Sequence, residues 1–136
     1  MFGYVFDDRL LTALGNGDHN SGALLASLHD RDIRVSVPVV TLAYAFTALP
    51  VERSAELLGI VVAMTNTAVE PLSDAVDALE LAEFLAQVPD DPAAVHALVT
   101  ARKQAMEIVT VDPERWRSVQ ARLSVRVPLV ELTDES

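Results

Sequence analysis

About five short apolar runs, rich in β-branched and aromatic residues, are separated from one another by stretches of helical spacing, and this alternation constrains the fold more than any other feature. The first run is Tyr4-Val5-Phe6, which stops abruptly on Asp7-Asp8. A continuous apolar run of this kind fits a strand covered on both faces. Ile33, Val35, Val37 and Val39 alternate with Arg34, Ser36 and Pro38, the period of a second strand. Ala68 to Leu72, Ile108 to Val111 and Val125 to Leu132 supply the others. Between them lie helical patterns at Arg9 to Leu14, from Asn20 or Ser21 to Leu28, at Thr41 to Leu49 and Glu52 to Ala63, then at Ala75 to Leu85, Ala93 to Ala105 and after Pro113. Strands that alternate with helices build a parallel sheet with helices on both faces. The expected fold is therefore a three-layer α/β/α sandwich around a central parallel sheet of about five strands, with residues 1–136 forming a single domain.

Turn and cap residues set the boundaries. Gly15-Asn16-Gly17 closes the first helix. Pro38 ends the second strand and opens the next helix, and Pro50 stops that helix. Asn66 makes a turn, and Ser73-Asp74 caps the helix that follows. Asp91-Pro92 puts an acid at the cap and a proline at the first helical position. Ala55, Leu57, Leu58, Val61 and Val62 read as the core face of the helix from Glu52, and Val95, Leu98, Val99 and Met106 point inward further on. The tail Thr133-Asp134-Glu135-Ser136 is expected to fray.

Composition narrows the function classes. No apolar run reaches the roughly 18 residues of a membrane span, and no basic region precedes the first apolar residues as in a secretory signal. The absence of cysteine excludes disulfides and thiolate metal sites and is compatible with a cytoplasmic location. A net charge of −10 opposes nucleic-acid binding, which depends on cations placed against phosphates. Arg102, Lys103, Arg115, Arg117, Arg122 and Arg126 cluster near the C-terminus and read as an ordinary solvated face.

Two strands end on acids, Asp7 and Asp112. Ligands of open parallel sheets bind at the carboxyl ends of the strands. If the two strands are neighbours, their carboxylates converge, and paired carboxylates signal a hard metal such as Mg²⁺ or a shared proton. Each acid can equally well cap the helix after it.

The residues resemble a known family, the PIN domains, in its branch of VapC-type toxins from toxin–antitoxin pairs. Val5 to Leu14 is similar to the family's opening strand and helix, and Val35 to Ala43 to its second strand and helix. Ala94 to Ala101 followed by Ile108-Val109-Thr110-Val111-Asp112-Pro113 resembles its late helix and Thr-x-Asp strand end. The resemblance implies an Mg²⁺- or Mn²⁺-dependent ribonuclease with three or four carboxylates in a central cleft. It also implies a homodimer, and a small antitoxin whose tail fills the cleft. Asp7 and Asp112 fall on the first and last family acids, as catalytic and metal residues, and Thr110 on the hydroxyl beside the latter. The two remaining acids are replaced, by Tyr44 and Ala94. A phenol is a poor Mg²⁺ ligand and a methyl group is none. Asp91, three residues before Ala94, is the candidate substitute, although it also suits a helix cap.

The reading from sequence is thus a PIN-like fold with a largely dismantled nuclease site, inactive or weakly active, that acts by binding protein or RNA. Apolar residues between Thr41 and Ala63 would supply the partner face, and Tyr44 would fill space left by metal and water. The alternative is a genuine Mg²⁺/Mn²⁺ ribonuclease toxin using Asp7 and Asp112, neutralised by a small antitoxin. A phospho-receiver reading fails because this chain has neither the mid-chain strand-end Asp nor the late Lys that such a domain needs, and the glycines form no phosphate loop.

Overall fold

The computed structural model describes residues 2–132; the tail from residue 133 lies outside the described residues. Five strands form one parallel sheet: β1 (Gly3–Phe6), β2 (Arg34–Pro38), β3 (Thr67–Glu70), β4 (Glu107–Thr110) and β5 (Leu129–Glu131). Their spatial order is β3-β2-β1-β4-β5. The chain moves outward from β1 through β2 to β3, then crosses back to β4 and β5. The point of reversal lies between β1 and β4, where Phe6 pairs with Val109 and the Asp7 N–H reaches the Val109 carbonyl.

Among the described residues, seven helices cover the sheet: α1 (Asp8–Gly15), α2 (His19–Asp30), α3 (Val39–Ala48), α4 (Val51–Ala63), α5 (Ala75–Gln87), α6 (Pro92–Gln104) and α7 (Pro113–Arg122). They divide into two layers, each with its own core. Phe6, Val35, Val37 and Val109 pack with Leu10, Leu42 and Leu57 of α1, α3 and α4. Val5 and Ile108 pack with Phe84, Leu98 and Trp116 of α5, α6 and α7. Adjacent residues of one strand thus enter opposite cores, as the period of 2 requires. This is the three-layer α/β/α sandwich that the alternation of elements predicts.

The boundaries follow local chemistry. Asp7, Asp18, Asp74, Asp91 and Asp112 are the N-caps of α1, α2, α5, α6 and α7, each accepting a backbone N–H three residues on. Gly17 turns the chain after α1 at φ +81°, a conformation glycine adopts without strain. At Gly3 an added Cβ would lie 2.7 Å from the Arg34 carbonyl, so the start of β1 approaches β2 too closely for a side chain.

Three expectations need correction. The last strand covers Leu129–Glu131 rather than Val125 to Leu132, because Gln120 captures the Val125 carbonyl and the Val127 N–H before the chain reaches β4. On α4 only Leu57 and Val61 are buried; Leu58 and Val62 are 50% and 75% exposed. The helix packs through a narrower stripe than its apolar residues could cover. Finally, Arg115 is not on a solvated face; its side chain is 8% exposed.

Candidate functional site

Three helix N-termini meet at the reversal point, because α1 starts where β1 ends, α7 starts just after β4, and α6 is folded over both strands. The positive end of each helix attracts an acid. Asp7 Oδ1 accepts the Leu10 N–H at 2.8 Å, Asp91 Oδ1 accepts the Ala94 N–H at 3.2 Å, and Asp112 Oδ1 accepts the Arg115 N–H at 3.2 Å. The capping role and the clustered placement hold together: the same side chains that cap their helices gather at the carboxyl end of the sheet.

Arg115 joins this cluster. Its Nε donates to Asp91 Oδ2 at 2.6 Å and Nη2 to Asp91 Oδ1 at 3.1 Å, a two-pronged grip on one carboxylate. Nη2 also reaches Asp8 Oδ1 at 2.6 Å, and Nη1 reaches Asp7 Oδ2 at 3.3 Å. The guanidinium carbon lies 5.1 Å from the centre of the Trp116 ring. One planar cation therefore ties β1, the first turn of α1, the cap of α6 and α7 into a single joint.

Asp7 is fully buried. Besides the Leu10 N–H and Arg115, it accepts the Trp116 indole N–H at 2.7 Å and a side-chain hydrogen bond from Thr110. The Thr110 hydroxyl oxygen itself accepts the Asp112 N–H at 3.0 Å, which leaves its proton for Asp7. A carboxylate offers about four acceptor sites, and here four donors converge on them. Burial pushes the Asp7 carboxyl above its ordinary range, against the opposing pull of Thr110, Trp116, the Leu10 N–H and Arg115.

The residues present do not fit a hard divalent cation. Such an ion needs oxygen lone pairs that point at a common centre. The lone pairs of Asp7 are taken by its own neighbours, and those of Asp8 and Asp91 that face inward are held by Arg115. Asp112 caps α7 and otherwise faces Arg9, whose Nε is 3.7 Å from its Oδ2. Among the described residues, no three acids or imidazoles come together in a geometry that could hold a metal ion.

Asp7, Thr110 and Asp112 lie at the carboxyl ends of β1 and β4, as the sequence places them, and Asp91 caps α6 while it also meets Arg115. Tyr44 does not fill the cleft; it is 45% exposed on α3. Ala94 is buried in the first turn of α6, at the joint with α3. There Thr41 Oγ1 donates to the Ala93 carbonyl at 2.9 Å and the Val40 N–H donates to His96 Nδ1 at 3.2 Å. Burial holds the His96 pKa down to about 4, against the attraction of Asp77 and Glu70. Sequence reasoning missed Arg115 and Asp8 as partners. One signal was available: a cation in the first turn of a helix opposes the helix dipole, so Arg115 after Asp112-Pro113-Glu114 requires an anion nearby.

Fold and site together define the class: an α/β/α sandwich whose switch point holds an acidic cluster closed around an internal arginine. No family model matches the sequence, and no curated protein matches it at a significant level.

Proposed function

We propose that this chain is a PIN-like domain without metal-dependent nuclease chemistry, and that it acts by binding a protein. One observation carries the reading: Arg115 stands among Asp7, Asp8 and Asp91, where a nuclease of the resembled family would need a divalent cation. The cation and the acid-held water that such hydrolysis requires would compete with Arg115 and the helix N–H groups for the oxygens of Asp7 and Asp91. Protein rather than RNA is the favoured partner, because a net charge of −10 repels a polyanion. A cytoplasmic location accords with a chain that has no cysteine.

The test is incubation of the purified protein with mixed-sequence RNA in Mg²⁺ or Mn²⁺, with and without chelator. The reading expects no chelator-sensitive cleavage. Cleavage that chelator stops and Asp7→Asn abolishes would instead establish the ribonuclease toxin that uses Asp7 and Asp112.

A further inference from the structure

The fold employs four of the six basic residues gathered near the C-terminus. Lys103 pairs with Asp77, Arg115 with Asp7, Asp8 and Asp91, Arg117 with Glu114 and Arg122 with Asp90. Among the described residues, Arg102 and Arg126 join no ion pair and donate no side-chain hydrogen bond. Acids outnumber bases by 20 to 10 in this chain, so an arginine without a carboxylate beside it is informative.

The two arginines line one groove of about 620 Å³. Arg102 comes from the last turn of α6, and Arg126 from the segment between α7 and β5. The groove runs past the starts of β4 and β5, so it lies at the amino end of the sheet, away from the Arg115 cluster at the carboxyl end. Its size falls in the range of roughly 300–1,000 Å³ found for small-molecule sites. Apart from the arginines and Glu107 its lining is apolar, with Met106 and Val127 buried and Pro128 and Leu129 half-buried.

Arg102 is held in place without its donors being used. Its guanidinium carbon lies 5.4 Å from the centre of the buried Phe84 ring, a stacking that occupies the face of the cation and leaves its N–H edge free. The negative end of α6 accounts for a cation at position 102. It does not account for Arg126, which lies outside any helix.

These features select a ligand. Guanidinium groups match the two oxygens of a carboxylate, and the apolar lining suits a hydrocarbon body next to it. A single charge is favoured over several, because Glu107 faces the two arginines in the same groove and the net charge of −10 repels polyanions. We propose that this groove binds a small organic monocarboxylate, with its carboxylate held by Arg102 and Arg126 and its apolar body against Met106, Val127 and Leu129. The site is separate from the binding function proposed above and does not depend on it.

The test is a titration of the full chain, labelled with ¹⁵N, with hexanoate, hexanol, inorganic phosphate and a tetraglutamate peptide, followed by two-dimensional NMR. Hexanoate is expected to shift the amides of Ala105, Glu107, Val127 and Leu129 saturably, with half-saturation at about 1 mM. Hexanol and phosphate should each bind about tenfold more weakly, since one lacks the charge and the other the apolar body. Arg102→Gln/Arg126→Gln should weaken hexanoate about tenfold with an unchanged melting temperature, because both side chains are exposed. Arg117→Gln, an exposed arginine outside the groove, should change it less than about twofold. Absence of saturable shifts at these amides, or hexanoate binding untouched by the double variant, overturns the proposal. Equal binding of hexanol or phosphate overturns the ligand class. Tighter binding of the tetraglutamate peptide also overturns it, and gives the groove to an acidic protein segment instead.

Discussion

At the switch point between β1 and β4 the acids are matched with donors, whereas on the outer faces of α4 and α5 acids and apolar side chains stand open to solvent. Both regions are rich in carboxylates, and the difference lies in what faces them. In the centre, burial makes an unpaired charge expensive, so the chain supplies Arg115, Trp116, Thr110 and three helix ends. On α4 and α5, water screens the exposed Glu52 and Glu83, and no internal partner is required. The central acids hold elements together, and the exposed acids of α4 and α5 are left to water.

The sharpest way to break this contrast is to remove Arg115. Arg115→Ala leaves Asp7, Asp8 and Asp91 crowded without their cation, and loss of a buried ion partner costs about 3–5 kcal/mol. Urea unfolding should show that loss, with Arg115→Lys intermediate because an ammonium cannot grip Asp91 with two prongs. A loss near zero would mean that the arginine merely rests on the cluster.

A comparable effect, spread over pH, is expected at the α3–α6 joint. His96 is protonated near its ordinary 6.5 when unfolded, but only near 4 when folded. The unfolded state therefore binds the extra proton, and stability present above pH 6.5 is lost as pH falls toward 4, to a total of about 3 kcal/mol. Asp7 acts in the opposite sense: its raised folded pKa favours the folded state on acidification. Melting temperature against pH should flatten between pH 6.5 and 4.5 in His96→Gln, whose amide oxygen can still accept the Val40 N–H. An unchanged slope would remove His96 from the account.

Trp116→Phe keeps an aromatic ring but deletes one of the donors to Asp7, and is expected to cost about 1–3 kcal/mol by chemical denaturation. At the other extreme, Leu58→Gln/Val62→Gln should leave stability within about 0.5 kcal/mol of wild type, because those side chains are already in water. A large loss there would show that the outer face of α4 supports the fold after all.

Much of the fold was legible in the sequence because strand and cap signals are local. The acids of Asp7, Asp74, Asp91 and Asp112 mark helix starts wherever they fall, and Pro38 and Pro92 mark boundaries by removing a donor. That β1 and β4 are neighbours ending close to Asp7 and Asp112 was also legible, but not that Asp112 would face Arg9 while Asp7 is buried. Which apolar residues of α4 face inward was not, since a helix that is apolar on two stripes carries no local sign of which stripe meets the sheet. Arg115 was misread for a related reason. Among six basic residues in one segment, its place in the first turn of α7 is the one local sign, and the tertiary placement of Asp7, Asp8 and Asp91 is what buries it.

If Arg115 supplies the positive charge that a metal would otherwise bring, Mn²⁺ titration followed by thermal unfolding will separate the wild type from Arg115→Ala. The account predicts no Mn²⁺-dependent rise in the melting temperature of the wild-type protein, and a clear rise in Arg115→Ala, whose freed carboxylates can take the ion. Stabilisation of the wild type by Mn²⁺, lost in Asp7→Asn, would contradict it.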